Sequence, residues 1–150
     1  MRIVAQRVSQ AAVTVDGEQL SSIGKGLMLL VCVENGDEQA DMEWLAKKIV
    51  ALRIFDDENG VMNRDVRAID GEILAISQFT LVASTRKGNR PSYIRAAGPD
   101  LAVPMYEQFC SELEILLNKR IGRGRFGADM KVSLINDGPV TILLDSRLRE

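Results

Sequence analysis

Two short stretches carry side chains and backbone suited to chemistry. The first is Ser77-Gln78-Phe79-Thr80-Leu81, at the end of an apolar run. Read as an extended strand, it alternates, with Ser77, Phe79 and Leu81 on one face and Gln78 and Thr80 on the other. Polar side chains on an otherwise buried strand must find hydrogen-bond partners. That requirement is met either by cross-strand pairing at a sheet edge or by a polar pocket floor. The second stretch is Asn136-Asp137-Gly138-Pro139-Val140-Thr141, between the apolar runs Met130–Ile135 and Val140–Leu144. Proline fixes φ and donates no hydrogen bond. Glycine before it leaves no side chain where the backbone protrudes. The expectation is a stiff turn joining two strands, with mostly backbone carbonyls and amides exposed. The commonplace alternative is an ordinary hairpin turn.

The 150-residue chain contains no histidine. A Ser-His-Asp triad, a Cys-His pair and a histidine-ligated zinc are therefore excluded within it. Any catalysis proceeds without the commonest general base. No metal site and no cofactor are expected. The two cysteines, Cys32 and Cys110, stand alone in apolar settings and read as buried free thiols of a cytosolic protein. The opening residues do not form a signal peptide, and no apolar run reaches membrane-spanning length, so a cytoplasmic location is expected.

The elements that hold these stretches follow from periodicity. Arg2–Val8 and Ala12–Val15 read as strands, with a turn at Asp16-Gly17. Gly26–Val33 is a continuous apolar run, the pattern of a buried central strand. Asp37 suits a helix cap, and Met42, Leu45, Ala46, Ile49 and Leu52 give helical spacing over about Glu38–Arg53. Trp44 lies off that stripe, at an edge, at a subunit contact or, as the commoner case, packed on the core. Asp56–Gly60 resembles half of a calcium loop but lacks the ligand spacing and closing Glu, and is read as a solvated turn. Glu72–Val82 reads as a strand after the Asp70-Gly71 turn. Asp100 is placed as the cap of a second helix, about Leu101–Lys119, with Pro104 near its first turn. Met130–Ile135 and Val140–Asp145 complete the strands. The 1–150 chain is expected to form one α+β domain, a barrel-like antiparallel or mixed sheet covered by two main helices.

Net charge is −2, so no global field favours nucleic acid. Two local patches do. Thr85–Arg95 holds four basic residues and no acid, and Lys119–Lys131 holds five against Asp129. They suit contact with the end of a nucleic-acid strand, or simply solvate loops. The glycines and arginines of Ile121–Ala128 lack the ending of a phosphate-binding P-loop.

Taken together, Ser77–Leu81 and Asn136–Thr141 resemble the signature pair of the D-aminoacyl-tRNA deacylases. Gln6-Arg7-Val8, Arg86-Lys87-Gly88-Asn89-Arg90-Pro91-Ser92 and the total length extend the resemblance over the whole chain. It implies a homodimer that hydrolyses the ester of D-aminoacyl-tRNA at the 3′ end. It also implies action on glycine mischarged to tRNA-Ala. Carried onto this chain, Ser77, Gln78, Phe79 and Thr80 form the catalytic pocket floor. Gly138-Pro139, with Val140 and Thr141, forms a Gly-cis-Pro element that enters the partner subunit's pocket. Arg7 steadies that element, and Phe126 and Met130 line an adenosine pocket. Rejection of L residues would be steric, and attack by water would be assisted by backbone groups and the ribose 2′-OH, with Thr80 as nucleophile the other possibility. A non-catalytic RNA-binding module and a purely structural homodimer are the competing readings.

Overall fold

The computed structural model describes residues 1–149. Its spine is β1, one strand over Arg2–Val15, where the sequence pattern predicted two. The predicted break is absent because β1 pairs along its whole length with the last strand, β8 (Met130–Asp145). On its other edge, the first half of β1 pairs antiparallel with β3 (Gly26–Cys32), and the second half with β2 (Glu18–Ile23). Strand β2 was not foreseen. Its sequence is mainly polar, with only Leu20 and Ile23 turned to the barrel cluster, so it owes its form chiefly to pairing with β1.

Beyond β3 the sheet turns parallel. β6 (Glu72–Ser77) lies beside β3, and the two-residue β7 (Gly122–Arg123) lies beside β6. The order β2-β1-β3-β6-β7, with β8 on the free edge of β1, makes a mixed six-stranded sheet. It curls until β7 meets β2: a methyl group on Gly122 would stand 2.5 Å from the Ser21 hydroxyl. Glycine is required at this seam because the closing strands leave no room for a side chain. The sheet is thus nearly closed and barrel-like, with a small separate hairpin of β4 (Phe55–Asp56) and β5 (Met62–Arg64).

The apolar run of β3 is explained by burial on both faces. Leu27, Leu29 and Val31 pack with Ile73 and Ala75 of β6 under the helices. Met28 points the other way, into a second cluster with Val8, Val13, Leu74 and Ile76 inside the barrel. Two helices cover the first face: α1 (Gln39–Val50), through Met42, Leu45, Ala46 and Ile49, and α2 (Pro99–Leu117), through Ala102, Met105, Tyr106, Phe109 and Leu113.

Neither predicted cap is the observed one. Glu38 caps α1, exchanging capping-box hydrogen bonds with Asp41. Asp37 is wholly buried and accepts from the Met1 ammonium at 2.6 Å, Arg147 at 2.7 Å and the Glu34 amide at 2.6 Å. A buried carboxylate beside two cations is better satisfied there than at an exposed helix end. Gly98 caps α2, Pro99 occupies the first turn and Asp100 follows it. Trp44 is partly buried, with the Arg149 guanidinium 4.6 Å above its ring. Among the described residues, no helix is long and apolar enough to cross a membrane.

Candidate active site

The strand predicted over Glu72–Val82 stops at Ser77, the last residue paired with β3. The Gln78 amide still donates to the Val31 carbonyl at 2.7 Å. Then the chain tightens into a 3₁₀ turn over Phe79–Val82. The expected alternation beyond Ser77 is therefore lost, and Phe79 is swung outward until it is 56% exposed. This irregular end is what makes a site. The first amides of a helical turn have no acceptor within it, so those of Phe79 and Thr80 are available to a ligand. The Gln78 side-chain amide donates to the Thr80 hydroxyl at 2.6 Å. No group in that pair is a base able to activate Thr80.

A cavity of about 310 Å³ opens at this turn. Ser77, Gln78 and Phe79 form one side, and Phe126 and Met130 another. Thr80 is not on its wall but holds Gln78 from behind. Two further lining residues, Tyr106 and Cys32, were missed by the reading of the sequence. Tyr106 reaches through the core to donate to the Ala75 carbonyl at 2.9 Å, and its ring lies 6.0 Å from that of Phe126. Its position three residues before Phe109 on the buried face of α2 was the available signal. Burial pushes the Tyr106 phenol up, and pushes the Cys32 thiol up to about 11. Both stay protonated at neutral pH and serve as polar wall, not as nucleophile or base. A methyl on Gly124 would lie 2.5 Å from the Met130 sulfur, so this glycine lets Met130 occupy the wall.

The second predicted group lies elsewhere. Asn136–Val140 is neither a hairpin nor a connection between separate strands. Val8 of β1 pairs with Asn136 and Gln6 pairs with Thr141, so both flanks continue along the same partner. The residues between them form an outward excursion of β8, a large bulge. The Gly138-Pro139 peptide is cis and Gly138 has φ +133°. Asn136 closes the neck: its Oδ1 accepts from the Val140 amide at 3.0 Å, and its Nδ2 donates to the Thr141 hydroxyl at 3.1 Å. Arg7 lies beneath, only 8% exposed, donating to the carbonyls of Asp137 and Ile54, each at 2.8 Å. Within one chain, Gly138, Pro139, Val140, Thr141 and Arg7 do not line the cavity of Ser77 and Phe126.

The two basic patches also separate. In Lys119–Lys131, Arg123 pairs with Glu107 and Glu114, Arg120 with Glu114, Lys119 with Asp70 and Lys131 with Asp129. Most of that positive charge is neutralised by neighbouring carboxylates. In the other patch, Arg86, Lys87 and Arg90 are exposed and, among the described residues, have no ion-pair partner.

The cavity is thus built at a strand end, in a chain without the histidine of a catalytic triad. A family model described as D-Tyr-tRNA(Tyr) deacylase matches residues 4–145. The chain is 63% identical to a D-aminoacyl-tRNA deacylase of Bacteroides thetaiotaomicron and 61% identical to one of Parabacteroides distasonis, with both partners covered end to end. Among solved structures, one titled c-Myc DNA Unwinding Element Binding Protein superposes with a TM-score of 0.92 at 41% identity, covering 97% of this chain and 98% of the other. A probable eukaryotic D-amino acid tRNA deacylase shares the fold, with a TM-score of 0.82 at 15% identity and coverage of 95% and 97%. The chain belongs to the D-Tyr-tRNA(Tyr) deacylase family.

Proposed function

We propose that the protein hydrolyses the ester between a D-amino acid and the 3′-terminal adenosine of tRNA, and clears glycine mischarged to tRNA-Ala by the same route. The observation that carries this reading is the cavity between Ser77-Gln78-Phe79 and Phe126-Met130, in a chain without histidine and with its one lining carboxylate, Asp129, exposed and paired with Lys131. Phe126 and Met130 hold the adenine, and the ester carbonyl lies against the Phe79 and Thr80 amides. Water adds to that carbonyl, and the amides stabilise the oxyanion, a contribution of about 3 kcal/mol for a well-aimed donor. The C–O bond to the ribose then breaks, with the electron pair and a proton going to the ribose oxygen. The products are the free D-amino acid and free tRNA. An aminoacyl ester is already activated, so the neighbouring ribose 2′-OH supplies enough proton assistance, and Thr80 need not be a nucleophile.

Chirality is selected by the Gly138-Pro139 excursion of a second subunit in a cytoplasmic homodimer. Its exposure, its support by Arg7 and its distance from its own chain's cavity favour such use across an interface. Carbonyls of this rigid backbone hold the α-amino group, so an L side chain strikes main chain while a D side chain points to solvent. Glycine, having neither, is accepted. The test is deacylation of matched D-Tyr-tRNA and L-Tyr-tRNA by the purified protein with chelator present. Fast loss of the D ester alone is expected. Equal slow loss of both would overturn the reading.

A further inference from the structure

We infer that the Ser84–Ser92 loop and the Phe79–Tyr93 ring pair form a binding site for the single-stranded RNA just upstream of the esterified adenosine. The inference rests on the deacylase reading and assigns a substrate contact outside the cavity. The loop is a closed arm: the amides of Ser84 and Ser92 each donate to the other's carbonyl at 2.9 Å. Its root is tied to the end of the central strand. Asn35 donates from its backbone to the Arg95 carbonyl at 2.9 Å and from its side chain to the Ile94 carbonyl at 3.1 Å, and Arg95 reaches the Val82 carbonyl at 3.3 Å. The arm is therefore held against the 3₁₀ turn that forms the cavity rim.

Its chemistry differs from that of the other basic patch, Lys119–Lys131. Arg86, Lys87 and Arg90 project into solvent, no acid occurs from Ala83 to Gly98, and among the described residues no carboxylate neutralises the three. In Lys119–Lys131, by contrast, four of the five cations are paired. At the foot of the arm, Tyr93 meets Phe79 edge to face, with centroids 5.1 Å apart and planes at 76°. Phe79 remains 56% exposed and Tyr93 38%, at the mouth of the cavity that Phe79 also lines. Unpaired cations beside exposed aromatic rings are the recurrent device for single-stranded nucleic acid, with phosphates on the cations and a base on the rings. With adenine in the cavity, the preceding nucleotides must pass out through this mouth. A duplex would need no such rings.

The test compares two substrates: full D-Tyr-tRNA, and the 3′-O-D-tyrosyl ester of adenosine alone, which lacks the upstream phosphates and bases. In the variant Arg86→Gln/Lys87→Gln/Arg90→Gln, kcat/KM on the tRNA should fall through KM, while the ratio of tRNA to adenosine-ester activity collapses at least about tenfold. The logarithmic salt dependence of tRNA binding should flatten by about two, near 0.7 for each phosphate no longer neutralised. Tyr93→Ala should lower the same ratio at least about fivefold, as removal of one base stack predicts, with the salt slope unchanged. An unchanged ratio in both variants overturns the inference. So does a changed sedimentation coefficient in Tyr93→Ala with an unchanged ratio, since a second copy of the chain would then be what covers the rings. Failure of the wild-type protein to hydrolyse either ester would instead overturn the deacylase reading itself.

Discussion

The cavity at the end of β6 and the excursion of β8 are both made of irregular backbone, yet they solve opposite problems. The cavity is concave and walled by core residues, with Tyr106 anchored to Ala75 behind it. The excursion is convex and exposed, stiffened at its neck by Asn136 and from below by Arg7. One has the shape of a well and the other that of a wedge, the roles proposed for them above. The lesson is that irregular backbone can be made rigid in either form, as a recess or as a protrusion, when residues distant in sequence brace it. Rigidity is easier to supply at the strand where each grows than across a mobile loop.

The comparison can be broken most severely at Gly138. A Cβ there would stand 2.8 Å from Arg7 and 2.9 Å from the Val140 side chain, at a φ that L side chains rarely adopt. Gly138→Trp should reduce D-Tyr-tRNA deacylation about a hundredfold or more, the usual penalty for misplacing a reacting group by an ångström. Circular dichroism should still report a folded protein, because Gly138 lies outside both core clusters. Retained activity would sink the wedge role.

Phe126→Ala addresses the well alone. It should raise KM for the tRNA about tenfold, as expected when a base is deprived of its aromatic platform, with kcat little changed. A fall in kcat with unaltered KM would contradict an adenosine-holding role.

Arg7→Ala sharpens the contrast further. It strips partners from the Asp137 and Ile54 carbonyls and should lower stability by about 1–3 kcal/mol in chemical denaturation. It should also weaken discrimination between D and L esters. Arg7→Lys, which cannot serve both carbonyls with one fork, should recover only part of either effect.

The smallest effect lies outside both regions. Burial tends to raise the Asp145 carboxyl, but the Arg2 guanidinium, at 2.8 Å, together with the Arg147 and Leu148 amides, holds the group below its ordinary value of 3.8. Its stabilising contribution is therefore present above that value and lost as pH falls through the lower folded value. Asp145→Asn should be less stable than wild type at neutral pH, with the gap closing below about pH 4. Turnover at neutral pH should be unaffected. A gap that persists into acid would mean that the pair contributes through packing.

Much of this molecule was legible in its residues. The unbroken run Gly26–Val33 announced a strand buried on both faces, and the stripe from Met42 to Leu52 announced α1, because burial writes itself into periodicity. The glycine and proline of Asn136–Thr141 marked a stiff departure from regular strand there, since they restrict what the chain can do, although the form it took, an excursion within one strand, did not follow from them. The absence of histidine determined what chemistry was unavailable. Tertiary structure decided the rest. Pairing with one long neighbour made β1 and β8 continuous where local pattern suggested breaks, and it stabilised a mainly polar β2 whose two apolar residues, Leu20 and Ile23, are too few to announce a strand. Packing turned Phe79 outward in a 3₁₀ turn where alternation predicted a strand. Pairing with carboxylates distant in sequence neutralised one basic patch and left the other bare. In each case the deciding partner lies far along the chain, and an interaction of that range leaves no trace in local spacing.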